Sequence, residues 1–241
     1  MAKLEWHQAA EVMQKNLVKI STCCGGYGSG VFVRVPMDTP GACCVLTAYH
    51  VVEKAYNTGA TIEIQIETTQ EKIPLLSTQR YIFPEIARDQ ALIIFGSSQK
   101  LGAIDEYSLM KTGKRCKTGV ELGWLGYPDL EIAEDTACFL RGSVSAYLSD
   151  KEAYLVDGAS IHGISGGPVF CREDAKVTLV GIVTNYYPNQ VTTGNHNTQA
   201  WPGLAMFRTI NPLMKLYEAT DSAKKSAAEI LRANNIHTNR K

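Results

Sequence analysis

The sequence of 241 residues lacks an excess of charge of either sign, because 24 lysine and arginine residues balance 24 aspartate and glutamate residues. Nucleic-acid-binding domains normally carry a basic excess, so we expect no nucleic-acid partner. No apolar run approaches the roughly 18 residues of a membrane span, and the N-terminus lacks the apolar core of a secretory signal. We therefore expect a cytoplasmic protein without membrane contact.

The sequence also lacks the cysteine spacing of a metal site or a disulfide framework. Seven cysteines are an odd number, and without a secretory signal they indicate reduced thiols. Two adjacent pairs occur, Cys23–Cys24 and Cys43–Cys44, whereas zinc ligands usually follow a C-x-x-C spacing. Neighbouring residues of a strand also point to opposite faces. We expect no metal and no cofactor.

Short β-strand patterns dominate what is present. Runs such as "GVFVRV", "CCVLTA" and "QALIIF" are rich in β-branched residues and are bounded by turn residues. The run "TIEIQIE" alternates strictly, which predicts one solvent-exposed face. Helical spacing occurs in residues 4–17 and 210–220. The sequence therefore predicts an all-β barrel or sandwich with helices only at the ends.

A last helix is predicted after Asp221, which we expect to act as its N-cap. Its apolar stripe consists of Ala223, Ala227, Ile230 and Leu231. The favoured interpretation is that this stripe packs on the body of the protein. The alternative is that this C-terminal helix docks a partner.

The segment "IHGISGGPVF", residues 161–170, combines a serine with three glycines. A serine nucleophile needs a base, a group that orients the base, and donors for the oxyanion that forms. Gly163 can direct its N–H group outward beside that of Ser165, and two converging N–H groups form an oxyanion hole. Gly166 and Gly167 let the chain turn away before the next strand.

The candidate base is His50, at the end of "CVLTAYH", and the candidate orienting group is Asp89 in "ARDQALIIF". A carboxylate beside so apolar a strand is costly unless it is paired, and an imidazole N–H is a suitable partner. Each motif alone has a structural explanation as a turn, a structural histidine or a cap. Their joint occurrence favours nucleophilic catalysis.

The order His, Asp, Ser in "LTAYH", "ARDQAL" and "GISGGP" resembles the chymotrypsin-like serine peptidases, and within them the HtrA/Deg-type, trypsin-2-like branch. The resemblance covers about residues 10–218. It implies two packed six-stranded antiparallel β-barrels, with the active site in the cleft between them. His50 and Asp89 would come from the first barrel and Ser165 from the second.

The resemblance also implies a division of the chain. We expect residues 1–105 to form an N-terminal helix and the first barrel. Residues 106–220 would form the second barrel and end in a helix, and residues 221–241 would form a helical tail. We expect no PDZ domain after residue 218.

The substrate-binding residues follow from the same resemblance. Ala159 would lie at the base of the primary pocket, with Ser160, Tyr186 and Gly203 close to it. Ala159 offers no carboxylate to a lysine or arginine side chain, so we expect a small or medium uncharged P1 residue. His162 borders the site, and as a cation it would instead favour an acidic P1 residue.

Three residues depart from the family's pattern. Tyr49 replaces a small residue before the base, so it either crowds or covers the base. Thr184 replaces a serine that commonly supports the aspartate, and its hydroxyl can do the same. Ile164 replaces the aspartate that pairs with a newly cut N-terminus in secreted trypsin-like enzymes. Activation of that kind is therefore not expected.

We therefore expect an intracellular serine endopeptidase that acts on protein or peptide substrates. One alternative is a catalytically silent or latent module that uses the protease fold to bind peptides. Another is an esterase, because "GISGG" fits the G-x-S-x-G elbow of α/β-hydrolases, although the histidine comes last in that fold. The polar segment 186–201 is expected to be a long loop that gates the cleft or shapes specificity.

Overall fold

Most of the chain forms two β-sheets in the computed structural model, which describes residues 4–35, 41–99, 101–133, 135–173, 175–192 and 198–238. The first sheet contains β1 Leu17–Thr22, β2 Tyr27–Phe32, β3 Ala42–Thr47, β4 Ile62–Ile66, β5 Lys72–Leu75, β6 Arg80–Glu85 and β7 Gln90–Gly96. The second contains β8 Tyr107–Leu109, β9 Glu121–Gly126, β10 Cys138–Leu148, β11 Ala153–Asp157, β12 Pro168–Glu173, β13 Lys176–Thr192 and β14 Thr198–Thr209. The predicted all-β class is confirmed.

The two sheets close to different degrees. The second has the order β12-β9-β10-β11-β14-β13, and a further β12–β13 pairing closes these six strands into a barrel, to which β8 adds in parallel. The first has the order β5-β4-β1-β2-β3-β7-β6, and the described residues show no pairing between its edge strands. The chymotrypsin-like architecture is therefore present, with a curled sheet of seven strands as its first half.

Four α-helices accompany the sheets: α1 Trp6–Gln14, α2 Tyr49–Thr58, α3 Asn211–Ala219 and α4 Asp221–Thr238. The prediction that helices lie only at the ends was wrong, because α2 follows β3. Its buried residues Val51, Val52 and Ala55 have helical spacing, and Gly59 ends it in the left-handed conformation with a φ of 72°. Helix α1 is also shorter than expected, since Leu17 already belongs to β1.

Two sequence interpretations need correction in the strands. Gln65 of β4 is buried rather than exposed, because β4 lies between β1 and β5, and its amide donates to the Gln70 side chain at 2.6 Å. The segment 186–201 is mainly strand rather than loop. The main chains of β13 and β14 stay paired up to residues 192 and 198, with register shifts between residues 183 and 185 and between 187 and 189. Residues 193–197 lie outside the described residues.

The terminal helices pack on opposite halves of the fold. Helix α4 lies on β6 and β7 with Ala223, Ala227 and Leu231 buried, so its apolar stripe packs on the body, as the favoured interpretation held. Helix α1 lies on the second barrel, where the Trp6 ring contacts Phe170 at 6.1 Å between centroids. No helix of the described residues has the length and apolar character needed to cross a membrane.

Candidate active site

Strand pairing brings His50 and Asp89 together at one end of the first sheet. His50 lies in the first turn of α2, directly after β3, and Asp89 directly precedes β7, which pairs with β3. The His50 Nδ1 atom lies 2.7 Å from Oδ2 of Asp89. The other carboxylate oxygen accepts the main-chain N–H of His50 at 2.9 Å. The carboxylate therefore fixes both the ring and the main chain of His50.

This contact also determines where the imidazole proton lies. A carboxylate only accepts hydrogen bonds, so Nδ1 carries the proton and Nε2 is free to act as a base. The His50 side chain is 45% exposed, whereas that of Asp89 is 23% exposed. A substrate can therefore reach the base, while the carboxylate is partly shielded. Asp89 has a φ of 53°, a left-handed conformation that aspartate tolerates better than most residues.

The two unusual residues expected near this pair have other contacts. Tyr49 is buried, and its ring packs edge-on against Tyr56 at 6.1 Å. Its main-chain N–H donates to the carbonyl of Asp89 at 3.1 Å, so Tyr49 helps to hold the acid. The Thr184 hydroxyl donates to the carbonyl of Met206 at 3.2 Å, and the described residues show no bond from it to Asp89.

The loop that carries Ser165 presents two free main-chain donors. The N–H of Ile164 donates to the carbonyl of residue 161, that of Gly166 to Val183 at 2.7 Å, and that of Gly167 to Ile164 at 2.9 Å. Within residues 163–167, the N–H groups of Gly163 and Ser165 alone lack an acceptor. These are the two donors that the sequence predicts for an oxyanion hole.

The direction of the Gly163 N–H group follows from its neighbour. The carbonyl of His162 accepts the main-chain N–H of Asp129 at 2.7 Å. In a trans peptide the carbonyl and the following N–H point in opposite directions, so the Gly163 N–H faces away from Asp129. Gly163 has a φ of 90°, and an added Cβ would lie 2.3 Å from the carbonyl oxygen of Tyr127. This position therefore requires glycine.

Ser29 of β2 anchors the loop, and sequence reasoning missed it. Its main-chain N–H donates to the Ser165 carbonyl at 2.8 Å, and its hydroxyl donates to the Gly163 carbonyl at 2.9 Å. The same hydroxyl accepts the N–H of Tyr127 at 2.9 Å. The one available signal was a serine between two glycines in "YGSG".

Ser165 lies close to the part of the chain that carries His50. An added Cβ at Gly166 would lie 2.3 Å from the hydroxyl of Thr47 and 2.8 Å from the main-chain nitrogen of Ala48. The described residues show no hydrogen bond between the side chains of Ser165 and His50. Such bonds are often long in unliganded enzymes and tighten when the substrate binds.

Polar contacts join the two halves around the site. The Tyr127 hydroxyl donates to the Glu67 carboxylate at 2.5 Å. Burial, followed by this bond, raises the pKa of Tyr127, so its phenol remains a neutral donor. Arg88 precedes Asp89 in the sequence, and its guanidinium contacts the Glu152 carboxylate at 2.7 Å. These two contacts connect the half that carries His50 and Asp89 to the half that carries Ser165.

The residues expected to form the primary pocket lie in β13 and β14 of the second barrel or directly after β11. Leu204 of β14 is opposite both Asp157, which ends β11, and Tyr187 of β13. Ala159 and Ser160 follow β11, whereas Tyr186 belongs to β13 and Gly203 to β14. The hydroxyl of Tyr186 accepts the N–H of Gly203 at 2.7 Å, which ties these two strands together.

His162 is exposed, and its carbonyl accepts the main-chain N–H of Asp129. Across the part of the chain that the structure describes, no cluster of three or more histidine, cysteine, aspartate or glutamate side chains is arranged to hold a metal ion. The groups that this site brings together are a serine loop, a histidine and a carboxylate.

Comparison with known proteins agrees with this geometry. A family model described as "Trypsin-like peptidase domain" matches residues 28–182, which is 155 of the 241 residues. The solved structure titled "Crystal structure of Deg5" is similar with a TM-score of 0.60 and 16% identity, over 91% of this chain and 99% of that chain. At that identity the likeness shows the fold. The comparison with curated proteins finds no match.

Proposed function

Because the chain belongs to the trypsin-like peptidase family, we propose that it is an intracellular serine endopeptidase that cleaves proteins or peptides through an acyl-enzyme. One observation carries the proposal: a histidine whose Nδ1 lies 2.7 Å from a carboxylate stands next to a serine loop with two free N–H groups. The seven cysteines, all of them free thiols, support a reducing location.

Each group has a distinct role in the proposed reaction. The Ser165 hydroxyl attacks the scissile carbonyl carbon while Nε2 of His50 takes its proton. Asp89 stabilises the resulting imidazolium, and the N–H groups of Gly163 and Ser165 bind the negative oxygen. Collapse breaks the C–N bond, and His50 returns the proton to the leaving amine. Water then attacks the acyl-enzyme by the same route and restores the serine.

The proposal is tested by turnover of a fluorogenic peptide library with the purified protein and its Ser165→Ala variant. We expect the variant to lose several orders of magnitude in kcat while its thermal stability is kept. A variant that cleaves as well as the parent would exclude Ser165 as the nucleophile. A parent protein that binds peptides without cleaving them would identify a silent binding module.

We further propose a preference for a small, uncharged P1 residue. Tyr186 is 37% exposed, and its phenol bridges two walls of the pocket by its bond to Gly203. The bulky side chain of Tyr186 between these walls reduces the depth of the pocket that is available to the P1 side chain of a substrate. The base of the pocket carries Ala159, which supplies no charge to attract lysine or arginine.

A cleavage profile of Tyr186→Ala tests this preference. We expect kcat/KM for leucine or phenylalanine at P1 to rise by about tenfold or more, since one well-placed pocket contact is worth that factor. Tyr187→Ala is the matched control, because neighbouring strand residues point to opposite faces. A parent profile dominated by lysine and arginine would contradict the proposal. An acidic preference that His162→Ala removes would assign the pocket's selectivity to His162 instead.

A further inference from the structure

We infer that Ser29 is a positioning residue for the oxyanion hole: its buried side chain holds the Gly163 peptide so that both oxyanion donors face the reacting carbonyl. The inference deepens the proposed function and rests on it. Ser29 belongs to the first half of the fold and the nucleophile loop to the second, so its bonds connect the two halves directly at the oxyanion loop.

The hydroxyl of Ser29 makes two hydrogen bonds, both of them to main-chain groups. It donates to the Gly163 carbonyl and accepts from the Tyr127 N–H, each at 2.9 Å. Ser29 is 0% exposed, so water does not replace either partner. An alanine here would leave a buried carbonyl and a buried N–H without partners, which is unfavourable.

The main chain of Ser29 holds the same loop at a second point. Its N–H donates to the Ser165 carbonyl at 2.8 Å, and its own carbonyl accepts the Thr47 hydroxyl at 2.7 Å. Thr47 ends β3, three residues before His50. The bonds of Ser29 therefore link the oxyanion loop to the strand that positions the base.

The remaining bonds of the loop show why this anchor matters. The carbonyl of residue 162 is held by Asp129, and that of Ile164 by Gly167. The other two carbonyls of the loop, those of Gly163 and Ser165, both accept hydrogen bonds from Ser29. Ile164 is buried among apolar residues of the second barrel, so its own side chain offers no polar anchor. Without the Ser29 hydroxyl, the peptide between Gly163 and Ile164 has no described partner for its carbonyl.

The test compares Ser29→Ala with Ser29→Cys, which keeps a weaker donor, and with Thr178→Val, which removes another buried strand hydroxyl. Kinetics are normalised to sites titrated with a fluorophosphonate. We expect Ser29→Ala to lower kcat by about tenfold to a hundredfold, somewhat less than loss of a direct oxyanion donor, with KM changed less than about threefold. Ser29→Cys should lie between the parent and Ser29→Ala.

Two further readouts separate positioning from stability. A peptidyl boronate, whose oxyanion occupies the same site, should bind Ser29→Ala more weakly by about the factor lost in kcat. Amide hydrogen exchange in residues 161–167 should be faster in Ser29→Ala and unchanged in Thr178→Val. A variant that loses thermal stability but keeps kcat per titrated site, boronate affinity and exchange rates would overturn the inference.

Failure of the proposed function is distinguishable from failure of this inference. A parent protein that neither cleaves peptides nor reacts with the fluorophosphonate would reject the peptidase assignment, and unchanged exchange in residues 161–167 would separately reject the anchor. If Ser29→Ala does not fold, Ser29→Cys decides by the same measurements. Parent-like values in that variant for kcat, boronate affinity and exchange would count against a role of the hydroxyl donor.

Discussion

Replacing Gly163 with alanine separates backbone strain from loss of the oxyanion hole. At a φ of 90° an L-residue is strained by roughly 1–2 kcal/mol. An alanine Cβ would also lie 2.3 Å from the Tyr127 carbonyl and 2.6 Å from the Asp129 nitrogen, both of them main-chain atoms. The simplest relief is rotation of the peptide between residues 162 and 163, which turns the Gly163 N–H away from the oxyanion.

Gly113→Ala is a matched control for this change. Gly113 has a similar φ of 79°, but an added Cβ would have no atom within 4 Å. Both variants should lose about 1–2 kcal/mol of stability from strain. Gly163→Ala alone should lose about 10²–10³ in kcat, the usual effect of removing one oxyanion donor. Equal kcat values for the two variants, measured per titrated site, would refute the assignment of Gly163.

Three further predictions follow from other parts of the structure. Asp89→Asn should lower kcat by about 10⁴-fold, because an amide does not enforce the Nδ1–H tautomer of His50. The control variant Asp150→Asn should leave kcat unchanged, and steady-state kinetics measure both. Leu231→Ala should lower the free energy of unfolding by about 2–5 kcal/mol, because Leu231 is buried where α4 packs on the first sheet. Thermal unfolding measures this change, and a loss below about 0.5 kcal/mol would contradict the packing. Burial raises the pKa of the Cys43 thiol to about 11, so the reaction of Cys43 with a thiol reagent should accelerate from pH 7 towards pH 11 in the folded protein. The exposed Cys23 should react first, and fast labelling of Cys43 at pH 7 would contradict this prediction.

Local sequence was sufficient to propose the catalytic residues because each stands at an element boundary with distinctive neighbours. His50 ends a β-branched run, Asp89 precedes another, and Ser165 lies among glycines. The contact between His50 and Asp89 is then a consequence of β3 pairing with β7. Catalytic residues that stand at the ends of strands can therefore be predicted from local sequence patterns.

Other features depend on contacts that are distant in sequence. The bond from Ser29 to Gly163 spans 134 positions, and no local pattern marks its hydroxyl as an anchor. Helix α2 was missed because its ten residues directly follow a strong strand pattern and contain β-branched Val51 and Val52. The outer part of the β13–β14 hairpin was predicted as a loop because its composition is polar. Its strand structure comes from main-chain pairing between β13 and β14, which side-chain patterns do not indicate.

The proposed function depends above all on the assignment of Ser165 as a nucleophile activated by His50. Its most direct test is reaction of the folded, full-length protein with a fluorophosphonate, followed by mass spectrometry of the digested product. We predict one adduct per chain, on the Ser165 oxygen, with a rate that falls by orders of magnitude in His50→Ala. An adduct on another residue, no adduct at all, or an equal rate in His50→Ala would contradict it.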